Sequence, residues 1–404
     1  MVDISVIRQY IEKYEHAETK ELQEEGKEVF LQNHAEWKQV INRIYGREHG
    51  SQIFGDAFII FTVCLFKSEN YEENLAKYVS DEIRDFEKSV DYPFGVMYSL
   101  FFNMGLLWHR LGTMYDDNAV EEFKKSVYYL LALSNNTSYQ VDCYAYRPCT
   151  KYLYHSLAKE ELNLSSPTQF NDPFDCPIME LLNNHGDEVS KLMHQAYRYT
   201  TKVACFVKND KLPTREEPKG SPKHEGDEPE YLNELMWAHY ADSHKGVCIK
   251  YHFPNTMTRD PKCGEKVLTY FRDVRYSDDV YDTGKEDGIS MNDAFFLKSK
   301  AWEYENELRF LFFDHEGKSD YTQVAIPGCV TAVYFGLKCP EEERQFIMKL
   351  LEGKKWEKRY ARFVDGITNG PKEIVEENEI EFYQIKLDSA HFGKLKAEKI
   401  VISA

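Results

Sequence analysis

The first proline of this 404-residue chain stands at position 93. Proline removes a backbone donor and breaks helices, so its absence leaves the opening stretch free to form long uninterrupted helices. The nine cysteines include no C-x-x-C pair and are odd in number. That pattern argues against a disulfide framework or a thiolate zinc site and suits a reducing compartment. No glycine-rich phosphate loop, G-x-S-x-G elbow or H-E-x-x-H pair occurs. Positive charge is short: 50 Lys and Arg against 68 Asp and Glu, a net charge of -18. Broad nucleic-acid binding through a basic surface is therefore not expected, although a small basic channel is compatible with it. Long apolar runs are also missing. The longest, near Tyr92 to Trp108, is broken by Asn103 and Gly105 and falls short of the ~20 apolar residues of a membrane span. Met1 to Lys13 mixes charges into an amphipathic pattern without a signal-peptide core. The expectation is a cytoplasmic protein with no membrane partner.

What is present is a core. Hydrophobic residues make up 42%, with 28 Tyr and 25 Phe. Residues 1–146 read as an all-α domain. Val6, Tyr10, Ile11 and Tyr14 recur at helical spacing, as do Phe30, Trp37, Val40, Ile41 and Ile44. Asn103 to Gly112, followed by Ala119, Phe123 and Val127, resembles a tetratricopeptide helical hairpin. The small Gly105 admits the paired helix, and Ala119 and Phe123 pack on it. Such a domain implies a protein partner.

The character changes at Arg147-Pro148, and residues 147–404 read as an α+β domain. Tyr152 to His155, Leu162 to Leu164, Val203 to Val207, Val247 to Phe253, Val324 to Ile326, Val330 to Phe335, Glu379 to Leu387 and Lys396 to Ile402 read as strands. Leu157 to Glu161, Tyr231 to Asp242 and Pro340 to Glu352 read as helices. Lys208 to Glu230 and Asp279 to Asp293 read as polar loops.

Four clusters carry chemistry. Trp302 to Arg309, read as a strand, alternates faces. Tyr304, Leu308, Phe310 and Phe312 point into a core, while Glu305, Glu307 and Arg309 line the other side. Two carboxylates and a guanidinium in a row suit a polar ligand, and equally a solvated face with paired charges. Phe170-Asn171-Asp172-Pro173-Phe174-Asp175 is a tight turn that can hold an amide and a carboxylate at a cleft lip. Trp237, Tyr240 and Ala241 share one helix face, where an aromatic ring can join the core or stack on a planar ligand. His155 ends the strand read at Tyr152 to His155, and Lys298 stands four residues before Trp302.

In this order the clusters resemble the bacterial domain-of-unknown-function family 2971 over residues 152 to about 395. The motifs are Tyr154-His155-Ser156-Leu157, Ser166 to Asp175, Val203-Ala204-Cys205-Phe206, Met236 to Asp242, Lys245-Gly246-Val247 and Trp302 to Arg309. That family has Arg where this chain has His155, and Ser where it has Cys205. A second resemblance, to ADP-ribosyltransferases, rests on the same order and implies an ADP-ribosyltransferase-like fold with NAD as substrate and no metal. It implies that His155 grips a ribose and Cys205 sits on a middle strand. It further implies that Glu307 is the catalytic carboxylate, that Glu305 aids the acceptor, and that Arg309 orients Glu307 or meets the pyrophosphate. Asn171, Asp172, Trp237 and Tyr240 complete the ligand-binding set. The resulting expectation is an NAD-consuming transferase or glycohydrolase, a toxin or defence effector whose helices receive a partner.

Two other classes stay open. A metal-dependent nuclease would use Asp172, Asp175, Glu305 and Glu307 with Lys298. A non-catalytic sensor or scaffold would bind a small molecule in the polar cleft. The transferase requires His155 and Glu307 to converge. The nuclease requires Asp172 or Asp175 within joint metal reach of Glu305 and Glu307. The scaffold requires Glu305, Glu307 and Arg309 to be open to solvent or paired among themselves.

Overall fold

The computed structural model describes residues 4–44, 46–69, 71–89, 94–133, 141–172, 174–176, 186–208, 230–253, 269–278, 293–362, 372–391 and 393–401. The chain divides into two compact units. The first comprises Met1–Asn135, Ile178–Thr200 and His315–Lys318, and the second Asn136–Pro177, Thr201–Asp314 and Ser319–Ala404.

The first unit is helical, as expected: α1 (Ile4–Tyr14), α2 (Lys20–Ile44), α3 (Gly46–Lys67), α4 (Glu73–Ser89), α5 (Phe94–Arg110), α6 (Asp116–Leu133) and, later in the chain, α8 (Glu188–Thr200). Ile7, Tyr10 and Tyr14 form the buried stripe of α1, the three- and four-residue spacing of one helix face. Phe30 stacks on Phe61 with ring centroids 4.4 Å apart. Helices α5 and α6 pack as the anticipated hairpin, with Gly105, Ala119 and Phe123 buried. A Cβ on Gly105 would lie 2.5 Å from the Phe123 ring. No helix among the described residues is long and apolar enough to cross a membrane.

The second unit is α+β. Its helices are α7 (Lys151–Lys159), α9 (Glu234–Tyr240) and α10 (Glu341–Leu350). Its strands are β1 (Val141–Arg147), β2 (Glu161–Ser165), β3 (Thr201–Lys208), β4 (Val247–Phe253), β5 (Thr269–Asp273), β6 (Arg275–Tyr276), β7 (Leu297–Lys298), β8 (Glu307–Phe313), β9 (Tyr321–Ala325), β10 (Val330–Phe335), β11 (Lys355–Arg362), β12 (Lys372–Glu379), β13 (Glu381–Leu387) and β14 (Leu395–Lys399). Among the described residues, ten strands form one sheet in the order β14-β13-β10-β4-β1-β3-β2-β9, with β8 paired to β3 and β5. Most pairs are antiparallel. β10 and β13 are parallel, and the chain between them runs through α10, as a parallel connection requires a crossover.

Alternation along the strands sorts the side chains. Cys143 and Ala145 of β1, Ala204 and Phe206 of β3, and Leu308 and Phe310 of β8 join one core cluster. Tyr144, Tyr146 and Val207 join a second cluster with Met236 and Trp237 of α9. The functional side chains share this second face.

Four sequence expectations change. Residues 141–147 are a strand of the sheet, so the boundary falls at Asn136 rather than after residue 146. The proline at 148 marks the end of a strand, which the composition shift had concealed. Residues 188–200 return to the helical unit. Tyr152 to His155 is the start of α7 rather than a strand: Thr150 caps it by accepting from the Leu153 N–H, and Leu153 and Leu157 are buried one turn apart. Trp302 to Asn306 is not strand either, since Lys300–Glu305 forms a 3-10 helix. The loop expectations for 208–230 and 279–293 lie outside the described residues except at Lys208, Glu230 and Asp293.

Alanine ordinarily gains up to about 1 kcal/mol over glycine within a helix. Gly105→Ala is expected to do the opposite, destabilising by about 1–3 kcal/mol through overpacking on Phe123. Thermal melts of the variant read this directly, and an unchanged or higher midpoint would contradict the close approach.

Candidate functional site

A cleft of about 520 Å³ opens on the Tyr144 face of the sheet. Three local features build its floor. Asn306 adopts a left-handed conformation, φ 45°, which ends the 3-10 helix one residue before β8 begins. Asparagine tolerates that region better than most side chains. The reversal delivers both Glu305 and Glu307 to the cleft lining. In register, β3 sets Cys205 beside Arg309 and Val207 beside Glu307. The short strand β7 brings Lys298 to the same point.

The charges form one buried network. Arg309 is fully buried. Its Nε donates to Glu307 Oε1 at 2.8 Å, and Nη2 donates to Asp175 Oδ1 at 2.5 Å and to Glu307 Oε2 at 3.2 Å. Its Nη1 donates to the Phe295 carbonyl at 2.7 Å, and the guanidinium lies 5.1 Å from the centre of the Phe170 ring. Lys298 Nζ lies 2.6 Å from Glu305, 3.0 Å from Glu307 and 3.4 Å from Asp175. It also sits over the Trp302 ring at 5.2 Å. Tyr240 donates its hydroxyl to Glu305.

These surroundings push the two glutamates apart. Burial raises the Glu307 carboxyl, but Arg309 and Lys298 outweigh it and hold the pKa at about 2. Burial dominates at Glu305 and raises its pKa, despite the bonds from Lys298 and Tyr240. Asp175 is likewise raised by burial, against the pull of Arg309. Glu307 is thus ionised at every ordinary pH, while Glu305 stands above its ordinary value. Cys205 is pushed well up by burial and by Glu307, so it remains a neutral thiol.

The sequence-derived residues separate clearly. Asn171, Asp172, Cys205, Tyr240, Glu305 and Glu307 line the cleft. Asp172 holds the lip in place: one oxygen accepts from the Phe174 N–H at 2.9 Å, and the other from Trp302 Nε1 at 2.7 Å. Arg309 lies behind the lining as the anchor of Glu307. Trp237 is no part of the lining. It is fully buried, packs edge-on against Tyr146 at 5.1 Å, and donates Nε1 to the Tyr231 carbonyl. His155 is absent from the lining as well: its side chain is 54% exposed on α7, with Nδ1 3.9 Å from Glu161. The expected convergence of His155 with Glu307 does not occur, because a helix stands where a strand was anticipated.

Arg147 was missed. It closes β1, lines the cleft, donates Nη1 to the Tyr146 carbonyl and Nη2 to the Cys205 carbonyl, and has no carboxylate partner among the described residues. Gly246 permits this placement, since a Cβ there would come within 2.2 Å of the Arg147 carbonyl oxygen. The available signal was the alternating Tyr144-Ala145-Tyr146 run ending in an arginine before proline. Tyr144, Phe170 and Trp302 complete an aromatic lining.

The carboxylates required by a nuclease do gather, but the Lys298 ammonium occupies the position between them that a cation would take. Among the described residues, no group of ligating side chains is arranged to hold a metal ion.

A family described as protein of unknown function (DUF2971) matches residues 236–310. The resemblance read from the motifs therefore holds over the stretch bearing Tyr240, Lys298, Glu305, Glu307 and Arg309. No curated protein and no solved structure matches the chain.

Removing one partner of a buried ion pair strands the other charge, at about 3–5 kcal/mol. Glu307→Gln is expected to lower the unfolding free energy by that order at pH 7, as read by urea denaturation. A depressed carboxyl pKa contributes stability above its ordinary range, lost as pH falls through the folded value. The wild-type advantage over Glu307→Gln should therefore shrink between the ordinary carboxylate range and about pH 2. A constant difference across that window would contradict the assignment.

Proposed function

We propose that the cleft cleaves the N-glycosidic bond of a nucleotide of the NAD type, as an ADP-ribosyltransferase or NAD glycohydrolase. The observation that carries this reading is the splitting of Glu305 and Glu307 within one aromatic-lined cleft. Glycosidic cleavage uses two carboxyl groups in different protonation roles around an oxocarbenium-like centre.

The strand arrangement supports it. The resemblance to ADP-ribosyltransferases calls for His or Arg on a first strand, Ser or Tyr on a later strand, where this chain departs with Cys205, and a glutamate on a late strand. Arg147 on β1, Cys205 on β3 and Glu307 on β8 stand in that relation, with β3 between β1 and β8. Arg147 replaces His155 in the role of gripping the nucleotide, and its guanidinium suits a pyrophosphate.

In this mechanism nicotinamide leaves C1′ of the ribose with the bonding electron pair. Positive charge grows on the ribose ring, and ionised Glu307 stabilises it more in the transition state than in the ground state. Glu305 accepts the proton of water or of an acceptor hydroxyl as that oxygen bonds to C1′. Lys298 and Arg309 hold the two carboxylates in place, and the Trp302 and Phe170 rings supply flat surfaces for the leaving base. The helical unit then serves as the partner-binding part of a toxin or defence effector.

A specific observation favours a second reading. Both Glu307 oxygens already accept from Arg309, and a cleft neutralised from within suits a sensor that binds its ligand without turnover.

Nicotinamide release from labelled NAD separates the two. The wild-type chain is expected to release nicotinamide, alone or with cell lysate as acceptor. Loss of one electrostatic group in such a site costs about 10²–10³ in rate. Glu305→Gln and Arg147→Ala are therefore expected to slow release by that order, and Arg147→Ala, which breaks no ion pair among the described residues, should melt as wild type. Binding of NAD without release would support the sensor. Neither binding nor release would overturn both readings of the ligand.

A further inference from the structure

Beyond Tyr144 the same sheet face continues into a larger groove of about 1440 Å³, and Tyr144 lines both cavities. Asp142 of β1 and His252 of β4 stand opposite one another in register on its wall. His252 Nδ1 lies 2.8 Å from Asp142 Oδ1. An ionised carboxylate only accepts, so Nδ1 carries the hydrogen, and in the neutral ring Nε2 is left as an acceptor. His252 is 7% exposed, and its Nε2 is buried without a hydrogen-bond partner. Leaving such an atom unmatched is costly, which points to a donor supplied from outside the chain.

The neighbouring groups define that donor's chemistry. Lys250 and Lys358 line the groove, and neither has a carboxylate partner among the described residues. Lys250 sits 5.9 Å from the centre of the Tyr144 ring. Burial pushes the Asp142 carboxyl up, but the hydrogen bond and electrostatic pull of His252, and then the two lysines, outweigh it and keep it below its ordinary value. The Trp356 ring lies 5.6 Å from the His252 ring and also faces the groove. Beyond their pull on Asp142, the two lysines have no ion-pair partner among the described residues and suit an anion, the buried nitrogen suits an N–H or O–H donor, and the indole a planar ring.

We propose that this groove is a second ligand site, separate from the carboxylate cleft, and that it takes a nucleoside phosphate. The phosphate meets Lys250 and Lys358, the base packs on Trp356, and a sugar hydroxyl or base N–H donates to His252 Nε2. The site stands whether or not the carboxylate cleft turns over NAD.

Calorimetric titration of the full chain with AMP tests it, beside inorganic phosphate as a second probe. AMP is expected to bind, and to bind at least about tenfold more tightly than phosphate, a difference of about 1.4 kcal/mol. The surface pair Lys250→Ala with Lys358→Ala should weaken AMP binding about tenfold or more without lowering the melting temperature, and His252→Ala should weaken it similarly. His155→Ala, on α7 and in the lining of neither cavity, should leave AMP affinity within about twofold of wild type. No heat of binding from wild type at millimolar AMP would overturn the proposal. So would AMP binding that survives the lysine substitutions but is lost in Arg147→Ala. Equal affinity for AMP and phosphate would overturn the nucleoside part.

Discussion

A fully buried guanidinium sets the terms for the cleft. Moving a charge of that kind out of water costs several kcal/mol unless its hydrogen-bonding capacity is met. Arg309 meets it with Glu307 of its own strand, Asp175 from the turn after Phe170, and the Phe295 carbonyl. Three separate segments are thereby tied to one point. The turn bearing Asn171 and Asp172, the approach to β7 and the start of β8 are held together by one side chain, and the cleft lies among them.

The cost of that burial accounts for the electrostatics. Arg309 and Lys298 lie on Glu307 and keep it ionised, while Glu305, one residue before the left-handed Asn306, receives only Lys298 and the Tyr240 hydroxyl. Two carboxylates close in sequence thus acquire opposite tendencies. The split is a consequence of packing rather than of residue type, since both are glutamates. It also explains why Lys298 is not a spectator: its ammonium bridges three carboxylates that would otherwise repel one another.

Part of this was legible from residues alone. Period-two alternation correctly placed Leu308 and Phe310 in one core and Glu307 with Arg309 on the opposite face, because strand geometry leaves no other choice. The Gly105 contact with Phe123 was legible for a similar reason: a small residue within a helical pattern marks close approach. The rest depended on long-range partners. Asp175 and Arg309 are 134 residues apart, and no local pattern announces their pairing. The aromatic run Tyr152-Leu153-Tyr154 has strand propensity, yet the Thr150 cap and burial of Leu153 and Leu157 made it helical, which removed His155 from the site. Arg147 went unrecognised because Pro148 looked like a domain boundary. Asn306 concealed a break in what alternation alone would read as one strand.

The central claim is the division of labour between Glu305 and Glu307, and carboxyl carbon NMR measures it most directly. In protein labelled at the glutamate side-chain carboxyl, the resonance lost in Glu305→Gln is expected to titrate above the ordinary glutamate range. The resonance lost in Glu307→Gln should stay ionised down to about pH 2. If both carboxyls titrate together in the ordinary range, or in the reverse order, the account of the site is wrong.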